Sequence, residues 1–178
     1  MMMCHLAWTN LGDVSTIPAI LDLVTGTRWL TDAEQHAWRS YVSMQTQLNA
    51  RLSKQLQADS ELSHADFAVL VQLTDTPEER VRVFELARAL EWEKSRVSHH
   101  LARMQKRGLI AREECPSDAR GAFIVLTPQG RAAIENAAPR HVETVRRLVF
   151  DALTPEQVKA LAAISEQVLA RLAEEEAA

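Results

Sequence analysis

Lys94-Ser95-Arg96-Val97-Ser98-His99-His100-Leu101-Ala102-Arg103-Met104-Gln105-Lys106-Arg107-Gly108 is the stretch on which the reading of this chain turns. Val97, Leu101 and Met104 recur at intervals of four and three, so they share one face of a helix from about Lys94 to Arg107, and Gly108 ends it. At about 100° per residue from Val97, the residues Ser95, His99, Ala102, Arg103 and Lys106 point away from that seam, flanked by Arg96, Ser98 and His100. Such a face suits the major groove of DNA. Arginine grips guanine O6 and N7 with two bonds, serine and histidine reach base edges or phosphates, and a small residue such as Ala102 lets the helix sit deep. Lys94, Ser95, Arg96, Ser98, His99, His100, Arg103 and Lys106 are therefore the candidate DNA contacts on this helix.

The flanking residues complete a motif. Upstream, Leu86, Ala87 and Leu90 within Phe84 to Leu90 fall on one side of a second, short helix that needs a packing partner. Downstream, Leu109 to Glu114 and Ala122 to Leu126 read as strands around Cys115-Pro116-Ser117-Asp118-Ala119-Arg120-Gly121, whose Pro, Ser, Asp and Gly form turns. A long cation on a narrow hairpin tip suits the minor groove, which makes Arg120 the candidate there. Asp118 is placed to stabilise this wing by a charge-assisted bond to a neighbouring arginine. Helix, break, helix and hairpin make a winged helix-turn-helix. The expected fold class is mainly α with a small β-wing, and a helical dimerisation region beside the reading head.

These residues resemble the MarR family of bacterial transcriptional regulators. The resemblance rests on Leu86-Ala87-x-x-Leu90, on Ser95-x-Val97-Ser98-x-x-Leu101-x-x-Met104-x-x-x-Gly108-Leu109-Ile110, on the wing Asp118-x-Arg120-Gly121, and on Leu126-Thr127-x-x-Gly130. It covers roughly residues 30 to 175. It implies an obligate homodimer on a palindromic double-stranded DNA operator, often a repressor released by a small, in some members aromatic, effector. Many members carry a second basic residue between the wing Asp and Arg, where this chain has Ala119.

The helices around the motif follow from caps and periodicity. Thr31-Asp32-Ala33-Glu34 is a capping box opening a helix to about Ala58, with Trp38, Tyr41, Met44, Leu48, Leu52 and Leu56 on its apolar side. Ser63 caps a helix Phe67 to Thr74 with Phe67, Leu70 and Val71 inward, and Val81 to Val83 reads as a one-step strand joining the wing. Thr127-Pro128 starts a long helix in which Pro139 predicts a kink or a restart near Ala138. Thr154-Pro155-Glu156-Gln157 caps the last helix, whose Val158, Leu161, Ser165, Val168 and Leu172 repeat at three and four, widened by Leu169, as in a two-helix seam. The expected organisation is a tail at 1–29 and a MarR-like domain at 30–175. Within it, the winged helix-turn-helix takes 62–127 and dimerisation helices take 31–58 and 128–175.

The net charge of −4 at first argues against a nucleic-acid partner, but the distribution reverses that inference. Between Arg80 and Arg120, ten cations against six anions make +4, so the remainder carries −8: a basic face on an acidic body. Cys4 and Cys115 have no metal-ligand or disulfide pattern, and His99-His100 lacks further ligands at metal spacing. The apolar stretch Ile17 to Val24 has no Lys or Arg before it and is too short to span a bilayer, so a cytoplasmic protein without membrane attachment is expected. No Gly-x-Ser-x-Gly, phosphate loop or His-Glu-x-x-His occurs, which points away from an enzyme; no catalytic residue and no cofactor is assigned.

Three further readings stand beside this one. A winged-helix protein-interaction module that has lost DNA binding would keep the same pattern with an acidic total. A redox-sensing regulator would use Cys115, although only Arg112 lies near it to lower a thiol pKa. Trp29, Trp38, Tyr41 and Trp92 would either line a pocket for an aromatic ligand or fill core and interface. Periodicity does not separate the last two, and filler is preferred.

Overall fold

A computed structural model describes residues 28–76, 78–115 and 118–177, with side chains described for all of these except 114, 115, 118–121, 176 and 177. Six α-helices and three strands are assigned among them. In chain order they are α1 (Asp32–Ser60), α2 (His64–Thr74), β1 (Arg80–Arg82), α3 (Val83–Ala89), α4 (Lys94–Lys106), β2 (Ile110–Cys115), β3 (Asp118–Leu126), α5 (Pro128–Leu148), a 3-10 turn (Phe150–Ala152) and α6 (Pro155–Ala177). The tail expected at 1–29 lies almost wholly outside the described residues. No described helix is long and apolar enough to cross a membrane.

The chain divides into two compact units, Met1–Ser43 and Met44–Ala178. In the first, the capping box forms as read: Thr31 N–H donates to Glu34 Oε2 at 2.7 Å and Glu34 N–H donates to Thr31 Oγ1 at 3.3 Å. The Thr31 N–H, with the Thr31 hydroxyl that also donates to Glu34 Oε2 at 2.9 Å, holds the Glu34 carboxyl below its usual range. Trp38 and Tyr41, read as part of an inner apolar face, are both exposed and stack on each other at 5.9 Å.

The second unit holds the core. Leu56 from α1, Phe67, Val69, Leu70 and Leu73 from α2, Leu86 from α3, and Val97, Leu101 and Met104 from α4 meet Leu109, Ile110, Ile124 and Leu126 from the sheet and Ile134 and Ala137 from α5. Burying aliphatic side chains this completely contributes about 1.5–3 kcal/mol each, so this cluster fixes the helix-turn-helix onto the sheet. The strands pair antiparallel in the order β1-β3-β2, with Val81 opposite Ile124 and Ala111 opposite Val125. Phe123 lies beneath both Arg80 and Arg82, at 4.9 and 4.8 Å. The strands reach further toward the tip than the sequence suggested: Cys115 and Asp118, read as part of a turn, face each other, and because Glu114 pairs with Ala122, residues 119–121 bulge out between the two pairs.

Two helix ends are built alike although their sequences differ. After α4, Gly108 takes φ of 72° and Leu109 N–H returns to Met104 O at 3.1 Å. After α3, Glu91 takes φ of 51° and Trp92 N–H returns to Ala87 O at 2.9 Å. Both are left-handed C-caps, one with the expected glycine and one without it. Of the kink or restart expected near Ala138, the restart is absent: α5 is one helix from Pro128 to Leu148 with Pro139 inside. Losing one N–H leaves the surrounding helix bonds in place, and buried Ile134 and Ala137 anchor the turn before it.

Thr127 joins head and helix. Its hydroxyl accepts from Gly130 N–H at 2.9 Å and donates to Gly108 O at 2.6 Å, drawing the start of α5 onto the end of α4. Gly130 is buried there, and a Cβ on it would fall 1.9 Å from Leu109 O. Because that neighbour is backbone, Gly130→Ala should cost about 3 kcal/mol or more, as overpacking does. Urea denaturation should register that loss, and a stability equal to wild type would contradict the described approach of α5 to β2.

Candidate nucleic-acid interface

Helix α4 is stabilised from one side only. Val97, Leu101 and Met104 are fully buried, whereas Lys94, Ser95, Arg96, Ser98, His99, Ala102, Arg103 and Lys106 are exposed. Nothing caps its N-terminus by a side chain, so the first N–H groups of the helix stay open beside Lys94, Ser95 and Arg96. Arg96 is not free-floating: its guanidinium carbon sits 4.4 Å from the centre of the Trp92 ring.

His100 departs from the sequence reading. It was grouped with the outward flank, but it is 5% exposed. The reason is geometric: His100 is three residues after Val97 and four before Met104, which places it inside the apolar arc, about 60° from Val97. Its ring meets Trp92 edge-on at 5.3 Å. Its Nε2 lies 3.1 Å from Asp66 Oδ1, an ion-pairing distance at which the N–H is off the ideal line, and its Nδ1 lies 3.0 Å from an Arg103 guanidinium nitrogen.

Asp66 and Arg107 were not assigned a role at the interface. Asp66 was visible as part of the α2 start, and it does close the capping box: Ser63 N–H donates to Oδ2 at 2.9 Å and Asp66 N–H donates to Ser63 Oγ at 3.1 Å. Its second use is tertiary. Arg107 donates to Oδ2 at 2.7 Å, and its other terminal nitrogen donates to Glu61 O at 2.8 Å. Only the residue types of a cap and a helix-terminal cation were available beforehand, and nothing in a separation of 41 residues signals that they meet. Burial pushes the Asp66 carboxyl upward, but His100, Ser63 and Arg107 together outweigh it and hold the group well below the usual carboxylate range.

The remaining candidates separate clearly. The backbone of Asp118 and Arg120 lies in β3, and their side chains, like that of Cys115, lie outside those described, so the wing and redox expectations stay as they were. Trp92 packs against His100 and Arg96, while Trp38 stacks on Tyr41. None of the three lines the groove of about 600 Å³ formed in the second unit by Met44, Leu48, Leu148, Leu153, Leu161 and Ile164 with their neighbours. No group of three or more His, Cys, Asp or Glu that could hold a metal is found among the described residues.

A carboxyl held below its ordinary value stabilises the fold fully above the unfolded value, near pH 4, and loses that contribution as pH falls toward the lowered native one. Asp66→Asn should therefore lower stability by about 1–3 kcal/mol at pH 7, as expected for losing charged hydrogen bonds. In chemical denaturation the gap between wild type and variant should hold from pH 7 to about pH 5 and narrow below pH 4. A gap that stayed constant into acid would refute this account of Asp66.

With this geometry in view, likeness to other proteins becomes informative. Residues 60–121 match the sequence model of the MarR family. The chain is 35% identical over 80 residues to the transcriptional regulator HosA of Escherichia coli O111:H-, a match covering 44% of this chain and 57%, just over half, of that one. Its fold is similar to Sco3205, a MarR family transcriptional regulator from Streptomyces coelicolor solved in complex with DNA, with 45% identity, 80% of this chain and 90% of that chain covered, and a TM-score of 0.77. It is similar also to AbsC, another MarR family transcriptional regulator from Streptomyces coelicolor, with 40% identity, 83% and 99% coverage and a TM-score of 0.79. The chain belongs to the MarR family of transcriptional regulators.

Proposed function

We propose that the protein is a homodimeric, sequence-specific DNA-binding repressor that places α4 of each subunit in successive major grooves of a palindromic operator. The observation that carries this reading is the two-faced character of α4, with Ser95, Arg96, Ser98, His99, Arg103 and Lys106 exposed over a buried seam. Successive major grooves on one side of the duplex are about 34 Å apart, which sets the spacing the two heads must match. Arg103 reads a guanine edge, Lys94 and Lys106 neutralise phosphate, and Arg120 reaches the flanking minor groove with Asp118 steadying the wing. In this assignment residues 62–127 are the reading head, 31–58 and 128–175 are the dimerisation helices, and 1–29 has no assigned role.

Dimerisation is supported by apolar surface that a lone chain leaves in water. Ile164, Val168, Leu169 and Leu172 of α6 are all more than half exposed, and on α1 so are or nearly so Trp38, Tyr41 and Met44. A patch of this kind marks an interaction surface, and a symmetric interface between copies buries it. A small ligand then acts by favouring a dimer whose heads are wrongly spaced, with leverage limited to its differential affinity for the two shapes. The structure of Sco3205 with DNA supports a DNA partner for this relative.

The test is binding to fragments of the protein's own upstream region at graded salt. Arg103→Ala should cost about 1–3 kcal/mol on the preferred sequence and relax its choice, whereas Lys106→Ala should weaken all sequences alike and reduce the salt slope by about 1. Should the wild-type protein ignore these fragments in dilute buffer while remaining folded, the interaction-module reading would replace this one.

A further inference from the structure

We propose that His100 is a positioning residue for base readout, its bare Nδ1 holding the guanidinium of Arg103 in reading pose because its Nε2–H faces the buried carboxylate of Asp66. This inference rests on the reading of Arg103 as a base contact. Three observations converge on it. Asp66 and His100 are the buried polar or charged residues of the described chain, at 4% and 5% exposure, and they stand next to each other. The other Asp66 oxygen is taken by Arg107 and by Ser63 N–H, so Oδ1 is left for His100. A guanidinium has only donors, so the 3.0 Å approach of Arg103 requires an acceptor at His100 Nδ1.

These facts select one tautomer. With Nδ1 accepting, the single proton of a neutral imidazole sits on Nε2, facing Asp66. The edge-on ring of Trp92 fixes the imidazole plane from a third side. The result is a chain of contacts from a buried carboxylate in α2, through a buried ring, to an exposed arginine on the adjoining flank of α4. Arginine is a long side chain, and holding its planar fork in advance removes part of the freedom it would otherwise lose on binding. The Trp92 ring also underlies Arg96, so Arg96 and Arg103 are supported by one packed pair of rings, Trp92 partly buried and His100 buried.

The experiment uses the full chain, a duplex selected from a random pool by the wild-type protein, and a scrambled duplex of equal composition. The readout is the ratio of the two affinities. Gln at this position can offer a polar group toward Asp66 but none at Nδ1, whereas Asn keeps an acceptor oxygen at Nδ1. His100→Gln should therefore lower the ratio about fivefold or more, His100→Asn should largely restore it, and His100→Gln should add nothing once Arg103→Ala is present. Nitrogen NMR of histidine-labelled wild-type protein should find His100 protonated at Nε2 and bare at Nδ1, a readout independent of whether any variant folds. If Arg103→Ala lowers the ratio but His100→Gln does not, or if their losses multiply, the positioning role is overturned while base readout by Arg103 stands. If Arg103→Ala leaves the ratio unchanged, the base-contact reading itself fails. A proton found on Nδ1 at neutral pH would overturn the inference on its own.

Discussion

One buried carboxylate ties the head together. Asp66 caps α2 through Ser63, accepts Arg107 from the end of α4, and faces His100 from the middle of the same helix. Apolar packing alone would let α4 slide or rotate over α2, since aliphatic contacts are not directional. A carboxylate with fixed partners does not allow that: a small rotation of α4 would leave a charge in the core without compensation, which is costly. The ion cluster thus selects the rotation of α4 about its axis, and with it which residues reach solvent.

That rotation has a functional meaning for a transcriptional regulator of this family. The exposed side of α4 offers alternating small, hydroxyl-bearing and cationic residues, and their usefulness depends on presentation within a fraction of an ångström. Support comes from below. Trp92 lies at the entry to α4, so a single partly buried ring packs under the exposed Arg96 and against the buried ring of His100. At the other end the hydroxyl of Thr127 bonds both Gly108 O and Gly130 N–H, joining the end of α4 to the start of α5.

The apolar surface of α6 obeys a different logic. Among the described residues none of this helix is buried, and Ile164, Val168, Leu169 and Leu172 of its heptad-like stripe stay more than half exposed. A helix of 23 residues with such a stripe is stable chiefly when the stripe is covered. In the homodimer proposed above, a second copy covers it, which would link folding to association and let the geometry of that association set the separation of the two reading heads.

Local rules settled much of this protein in advance. The capping boxes at Thr31, Ser63 and Thr154, the seam Val97-Leu101-Met104, the glycine end at Gly108 and the strand pair of the wing all follow from side chains acting on their own neighbourhood, and residue order carries that information directly. Tertiary structure decided what depends on meeting a distant group. It turned His100 inward, joined Asp66 to Arg107 across 41 residues, kept α5 whole through Pro139, and made Glu91 adopt the left-handed turn that glycine makes at Gly108. The burial of His100 and the joining of Asp66 to Arg107 come from packing and charge compensation across the core, where the energy of a residue is set by what faces it rather than by what precedes it.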